Sequence, residues 1–121
     1  MPNPFVHMEL CTPDLDKAKE FYGQLFGWSF DDQPMPMGVY SLFKPESGPA
    51  GGMYTMPDAP TAWLPYVGVE DVNAATDKAE SLGATIIRRA EEVPGIGWLS
   101  IFTDPTGATI AIWQPKNPSG M

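Results

Sequence analysis

Apolar and polar residues alternate near the start of the chain, which predicts a β-strand over residues 5–11. Alternation places successive side chains on opposite faces of a strand. One face would be apolar, with Val6, Met8 and Leu10, and the other would carry His7 and Glu9. We expect the apolar face to pack against a helix. The mixed face, which holds the only histidine of the chain, is expected to line a polar space.

The apolar spacing becomes helical after this strand. Thr12, Pro13 and Asp14 are typical of a helix start, because they offer a capping hydroxyl, a proline for the first turn and an acid at the positive end of the dipole. Gly27 is typical of a helix end. The residues expected on the buried face of this helix are Leu15, Ala18, Tyr22, Leu25 and Phe26.

The second half of the chain repeats these features. A second helix is predicted from about Asp71, which is 57 residues after Asp14, to about Leu82, with Gly83 as its left-handed stop. Its buried residues would be Val72, Ala75, Ala79 and Leu82. A Pro-x-Gly turn before a short strand also occurs twice, at residues 49–51 and 105–107, 56 residues apart. Because the helix start and the Pro-x-Gly turn both recur after nearly the same number of residues, they predict a duplicated unit.

Short apolar runs bounded by turn residues predict the remaining strands. They lie at 28–30, 39–43 and 51–56 in the first half, and at 63–69, 85–88, 99–103 and 109–113 in the second. We predict a single α+β domain over 1–121 that consists of two tandem βαβββ modules. Module one spans about 5–56, a linker 57–61, module two about 62–115 and a loose tail 116–121.

Composition and charge restrict the partners. A formal net charge of -8 disfavours nucleic acid and anionic membranes, and it suits a neutral or cationic ligand. The single cysteine, Cys11, excludes an internal disulfide, and we interpret it as a packing residue. Neither a long apolar run nor a signal-like N-terminus is present, so we expect a cytoplasmic protein.

Two segments carry a resemblance to a known family. Residues 14–28 read DLDKAKEFYGQLFGW, and residues 104–108 read DPTGA before the last strand. With the duplicated unit, they resemble the vicinal oxygen chelate superfamily, which includes glyoxalase I, bleomycin resistance proteins, fosfomycin resistance proteins and extradiol dioxygenases. The resemblance covers about residues 5–115. It implies a curved sheet that forms a cleft, helices on the outside and a homodimer.

The resemblance also implies positions for metal ligands in the first and fourth strand of each module. In this chain they fall on His7, Leu64, Thr55 and Ala111. Only His7 is a competent ligand, because Leu64 and Ala111 have no donor atom and Thr55 has a neutral hydroxyl. A divalent cation needs at least two or three protein donors. We therefore expect no cofactor, with an atypical divalent metal site at His7 and Glu9 as the alternative.

The predicted ligand-binding residues are those expected to face the cleft. They are His7, Glu9, Met53, Thr55, Tyr66, Trp98 and Trp113. Tyr66 takes the place of Glu9 in the second module, and Trp113 shares a face with Ala111. Two loops are candidate lids, with an ordinary connection between strands as the alternative for each. They are 31–38, which contains Met35 and Met37, and 91–98, which contains Trp98.

Three functions remain open at this level. The first is a metal-free small-molecule binder similar to the bleomycin resistance proteins. The second is a glyoxalase-like lyase or isomerase, or a dioxygenase-like enzyme, with His7 and Glu9 as catalytic residues. The third is a structural partner protein whose cleft is filled by side chains such as Tyr54, Tyr66 and Trp113. The ligand and the question of catalysis stay undecided.

Overall fold

The order strand, helix, three strands occurs twice in residues 3–36 and 38–116, the part of the chain that this computed structural model describes. The first set is β1 Phe5–Cys11, α1 Leu15–Phe26, β2 Phe30–Met35, β3 Gly38–Phe43 and β4 Ala50–Tyr54. The second set is β5 Ala62–Gly68, α2 Val72–Ser81, β6 Thr85–Val93, β7 Gly97–Thr103 and β8 Thr109–Pro115. The predicted pair of βαβββ modules is confirmed.

The chain divides into two compact units. One runs from His7 to Leu64, and the other joins the residues up to Val6 with those from Pro65 onward. The division falls inside β1 and β5 and not in the predicted linker 57–61. The chain before His7 belongs with the second unit, where the Gly68 amide donates to the carbonyl of Pro4 at 2.8 Å. We call these units the first module, 7–64, and the second module.

Each module has its own strand order. It is β2-β3-β4-β1 in the first module and β5-β8-β7-β6 in the second. The pairs β1 with β4 and β5 with β8 are parallel, and the other pairs within each module are antiparallel. Parallel neighbours require a long connection, which α1 and the two following strands supply in the first module.

The core of the first module lies between its sheet and α1. Leu10, Phe43 and Met53 are buried there, and Met53 is fully buried. The partly buried residues that pack on them are Leu15, Ala18, Tyr22, Trp28, Phe30 and Trp63. The apolar face predicted for β1 therefore does pack against the helix.

Two expectations about α1 are wrong. The cap is the side chain of Asp14, which accepts from the Lys17 amide at 3.0 Å, whereas the Thr12 hydroxyl accepts from the Asp14 amide. Leu25 and Phe26 were expected to be buried but are 57% and 56% exposed. The core residues contact the earlier turns of the helix, so the last turn has no buried cluster beneath it.

The second module has a core of Val69, Val72 and Ile112 against α2. The partly buried residues around it are Val67, Ala75, Ala90, Trp98 and Phe102. Leu82, expected on the buried face, ends the helix and is 69% exposed. Gly83 has the predicted left-handed backbone, with φ of 106°.

The two candidate lids are sheet hairpins. Residues 30–35 form β2, which pairs with β3 from Phe30 and Phe43 to Met35 and Gly38. β2 is at the edge of its module's strand order, where Pro34 costs no ladder hydrogen bond on its outer side. In the second module, β6 and β7 pair up to Val93 and Gly97, which leaves only a tight turn. Met37 and the tail 117–121 lie outside the described residues.

None of the described helices combines the length and hydropathy needed to cross a membrane.

Candidate functional site

Three polar side chains meet on the face of the first module opposite α1. Alternation along β1 puts His7 and Glu9 on this face, because Leu10 points into the core. Tyr40 comes from β3. Its hydroxyl donates to the Glu9 carboxylate at 2.8 Å and lies 2.8 Å from Nε2 of His7. The structure thus brings together the two predicted catalytic candidates and adds a third group.

The direction of these hydrogen bonds follows from the number of protons. A phenol has one proton to donate, and an ionised carboxylate only accepts. Since the Tyr40 proton goes to Glu9, the hydroxyl oxygen of Tyr40 accepts from His7. His7 then carries its proton on Nε2. The result is a hydrogen-bonded series in which His7 donates to Tyr40 and Tyr40 donates to Glu9.

Tyr40 reaches β1 by crossing β4 at Gly52. Gly52 is the register partner of Glu9 on one side and of Leu42 on the other. A Cβ atom at residue 52 would overlap the ring and hydroxyl of Tyr40. Only glycine leaves the space that the ring occupies. The adjacent Gly51 points to the other face, towards the Phe43 ring.

Burial lowers the pKa of His7 from its ordinary value of 6.5. Loss of hydration disfavours the charged imidazolium. The imidazole is therefore neutral at neutral pH, and a neutral imidazole protonated on Nε2 is compatible with the hydrogen bond to Tyr40.

We predict that this buried imidazole makes stability pH-dependent. As pH falls below 6.5, His7 in the unfolded chain takes up a proton while the folded residue stays neutral, so the free energy of unfolding falls until the pH passes the folded pKa. The slope is at most about 1.4 kcal/mol per pH unit. Urea denaturation of the wild type and of His7→Gln at pH 7.5 and 5.5 measures it. Equal pH dependence in the two proteins would contradict the prediction.

Tyr54 and Cys11 extend the polar face along the sheet. They are register partners on β4 and β1. The Tyr54 ring stacks with Tyr40 at 5.9 Å between centroids. The face therefore combines aromatic surface with a few polar groups, which suits a small organic ligand.

Two predicted ligand-binding residues of the first module lie elsewhere. Met53 faces α1 and is fully buried in the core, so it does not line the face that carries His7. Thr55 lies beyond the end of β4 and is exposed. Both were assigned by assuming that β4 extends to residue 56 in register with β8.

In the second module, Tyr66 and Trp113 lie on the sheet face opposite α2. Tyr66 pairs with Ala111, and their side chains are 5% and 0% exposed. The Trp113 ring lies over Gly97, much as Tyr40 lies over Gly52. Trp98 instead packs against the α2 core, where it is partly buried.

The strand register corrects the assignment of metal positions. Glu9 pairs with Gly52, and its counterpart Tyr66 pairs with Ala111. The residue equivalent to Ala111 is therefore Gly52 and not Thr55. Matching the Pro-x-Gly turns misaligned the fourth strands, because the equivalent turn glycines are Gly48 and Gly107, with φ of 88° and 100°. Residues 49–51 lie past the first of these turns.

The donor set does not fit the metal site that the resemblance implies. Of the positions His7, Leu64, Gly52 and Ala111, only His7 has a donor atom. Nε2 of His7 is already bonded to Tyr40. Within residues 3–36 and 38–116, no group of three or more His, Cys, Asp or Glu side chains is placed to hold a metal ion.

Tyr40 and Gly52 were missed by sequence reasoning. Tyr40 is 31 residues from Glu9, and no local spacing connects them. The one available signal was the Gly51-Gly52 pair inside a predicted strand, since glycine in a strand marks a close approach of another group. That signal does not say which group approaches.

Two open grooves of the first module lie away from these residues. The larger, of about 530 Å³, is lined by residues 26–29 and 44–47. The other, of about 420 Å³, is lined by residues 12–14, 17, 18, 21 and 61. We place the candidate site at His7, Glu9 and Tyr40, because these polar side chains are hydrogen-bonded to one another there.

The duplicated βαβββ modules define the fold class of this protein. Residues 5–112 match the profile of the Glyoxalase/Bleomycin resistance protein/Dioxygenase superfamily. The chain belongs to this superfamily, as the resemblance had indicated.

Individual relatives support the same assignment. The chain is 36% identical over 120 residues to the Mycobacterium tuberculosis protein named "Putative glyoxylase CFP32". The alignment covers 93% of this chain and 46% of that protein. It is 28% identical to the anthracycline biosynthesis protein DnrV of Streptomyces peucetius, over 88% of this chain and 45% of that protein. The chain thus spans about half the length of the curated relatives it matches.

Solved structures show the same fold. A hypothetical protein, BH1468, from Bacillus halodurans has a TM-score of 0.75 at 10% identity and covers 97% of both chains. Methylmalonyl-CoA epimerase from Mycobacterium tuberculosis has a TM-score of 0.71 at 16% identity, over 94% of this chain and 89% of that one. At such identities the likeness concerns the fold alone.

Proposed function

We propose that this protein binds a small neutral or cationic organic molecule at the face formed by His7, Glu9 and Tyr40, without the usual divalent metal. The observation that carries the proposal is the hydrogen-bonded chain of these three groups beside the Tyr54 ring. A carboxylate that is already oriented by a tyrosine is suited to accept a hydrogen bond from a ligand donor or to pair with a cation. The net charge of -8 favours a cationic ligand over an anionic one.

The absence of donor atoms at Leu64, Gly52 and Ala111 supports the metal-free part of this proposal. Zinc sites of enzymes have three protein ligands and an open position. His7 and Glu9 alone would supply at most two. Nothing in this donor set favours a dioxygenase-like reaction.

The second candidate function is proton transfer to and from a bound carbon acid, as in a lyase or isomerase. Glu9 would accept the proton as a carboxylate and return it to the substrate carbanion as a carboxylic acid, and the Tyr40 hydroxyl would orient the carboxylate while it is ionised. The hydrogen-bonded chain favours this candidate too. The names glyoxylase and epimerase among the similar proteins are compatible with it. Binding is the common requirement of both functions.

A homodimer is part of the proposal. Phe21, Leu25 and Phe26 are all more than half exposed on α1. Exposed apolar groups of this kind commonly mark a contact surface. The cytoplasm stays the expected compartment, with neither nucleic acid nor membrane as a partner.

Native mass spectrometry of the protein purified from its host without chelator tests this function. We expect a dimer that carries a small organic molecule and no stoichiometric divalent metal. Glu9→Gln should weaken binding of that molecule by about 10-fold to 100-fold, since hydrogen bonds to charged groups contribute about 1.5–3 kcal/mol. Glu20→Gln, a matched change at an exposed position of α1, should not alter it.

Two outcomes count against the proposal. Stoichiometric zinc, nickel, manganese or iron that disappears in His7→Ala would overturn its metal-free part. Unchanged binding in both His7→Ala and Glu9→Gln would remove the site. Turnover of the recovered molecule by the wild type, lost in Glu9→Gln, would establish the second candidate in place of simple binding.

A further inference from the structure

We propose that Tyr40 is the positioning residue of this site: its hydroxyl holds His7 in the Nε2-protonated tautomer and fixes the Glu9 carboxylate, and Gly52 is glycine so that the Tyr40 ring can cross β4. Neither Tyr40 nor Gly52 was a candidate from the sequence. The consequence for ligand binding rests on the proposed function, but the arrangement itself does not.

Geometry makes Tyr40 the link between the other two groups. His7 and Glu9 are on one strand, two residues apart, so their backbones are separated by about 7 Å along β1. The Tyr40 hydroxyl is within 2.8 Å of a side-chain atom of each. It arrives from β3, and β4 lies between β3 and β1 in the strand order. A single oxygen therefore bridges two residues that alternation alone only places on the same face.

The bridge selects one tautomer of the imidazole. Glu9 can only accept, so Tyr40 uses its one proton there and has only its lone pairs to offer to His7. Nε2 must then be the protonated nitrogen of His7, and Nδ1 is the nitrogen without a proton. The tautomer of a catalytic or ligand-binding histidine is set by its hydrogen-bond partner. Tyr40 has that role here.

Gly52 leaves the space that the Tyr40 side chain needs to cross β4. The Tyr40 ring and hydroxyl occupy the space in which a Cβ at residue 52 would lie. By the strand register, Gly52 is equivalent to Ala111, a position where the resemblance implies a metal ligand. The side chain from β3 replaces any side chain from β4 at this point. A larger residue at position 52 would have to displace the ring, and the displaced hydroxyl would leave both of its partners.

The single histidine makes the test direct. In wild-type protein labelled with ¹⁵N and free of ligand, above the pKa of His7, we expect a protonated-nitrogen signal at Nε2 and an unprotonated signal at Nδ1, without averaging between tautomers. The Nε2 proton should exchange slowly with water. The titratable groups that the structure describes on this face of the first module include Glu9, Cys11, Tyr40, Tyr54 and Asp31, so the pH is held constant across variants.

Two variants remove the bridge by different routes. Tyr40→Phe keeps the ring and loses the hydroxyl, whereas Gly52→Ala keeps the hydroxyl and displaces it. Both should shift the His7 nitrogen signals away from those of the Nε2-protonated tautomer and give about tenfold faster exchange of the Nε2 proton, the factor expected for one lost hydrogen bond. The controls are Tyr22→Phe, whose hydroxyl bonds Trp63 on the α1 side, and Gly23→Ala, where a Cβ meets only ordinary contacts.

The results separate clearly. A wild-type His7 protonated on Nδ1, or an unchanged His7 spectrum in a folded Tyr40→Phe protein, would overturn the proposal. If Gly52→Ala does not fold, Tyr40→Phe decides alone. If the His7 signature is as expected but native mass spectrometry finds no bound molecule, the proposed function fails while the positioning role of Tyr40 stands.

Discussion

Replacing Met53 with alanine is expected to lower the free energy of unfolding by about 2–5 kcal/mol, the range for removal of a large buried side chain. Met53 is 0% exposed and is enclosed by Leu10 and Phe43. The loss combines reduced apolar burial with a cavity that β1, β4 and α1 cannot close. Urea denaturation followed by circular dichroism measures the change. A small change in the free energy of unfolding would instead indicate that Met53 lines an open ligand site.

Leu82→Ala is the control for this experiment. Leu82 is also apolar and was expected to be buried, but it is 69% exposed at the end of α2. Its replacement should change the free energy of unfolding by no more than about 0.5 kcal/mol. A loss at Leu82 as large as that at Met53 would contradict the arrangement of both cores.

Gly51→Ala is expected to destabilise the protein by about 3 kcal/mol or more, at the upper end of the range for overpacked cores. A Cβ at residue 51 would overlap the carbonyl oxygen of Met8 and the ring of Phe43. The carbonyl is part of the backbone, so β1 and β4 would have to separate where Met8 pairs with Gly51. Thermal and urea denaturation of the variant measure the effect.

The neighbouring Gly52→Ala provides the comparison. The atoms nearest to a Cβ at residue 52 belong to the outer part of the Tyr40 side chain, which can rotate away. We expect a loss of about 2 kcal/mol, near the value for the two hydrogen bonds that the displaced Tyr40 hydroxyl no longer makes. Equal losses at Gly51 and Gly52 would show that the two faces of β4 do not differ as the structure describes.

Much of the fold could be predicted from local pattern. β1 has the predicted bounds of residues 5–11, and both helices begin close to the predicted starts, although Asp14 and not Thr12 caps the first helix. These features depend on alternation, helical spacing and capping, which act over a few residues. β2 was predicted at 28–30 but spans Phe30–Met35, because Asp31, Asp32 and Pro34 have low strand propensity and were assigned to a loop. Pairing with β3 at the module's edge overrides that propensity.

The candidate site was also predictable from the sequence only in part. Alternation along β1 was sufficient to place His7 and Glu9 on one face. The position of Met53 depended on the register of β4, and a shift of one residue reverses the face of a strand residue. Similarly, the turn glycine that sets this register is Gly48, which the repeated Pro-x-Gly pattern did not identify.

By itself, the sequence determined the duplicated βαβββ order, the superfamily, the shared face of His7 and Glu9, and the lack of donors at most of the implied metal positions. The module order and the shared face follow from residue type and short-range spacing, whereas the superfamily and its metal positions come from the resemblance of residues 14–28 and 104–108 to known proteins. Only the tertiary structure decided that Tyr40 joins His7 to Glu9 and that Gly52 makes room for it. These residues come from three strands, and their distances are set by strand order and register, which no local pattern encodes.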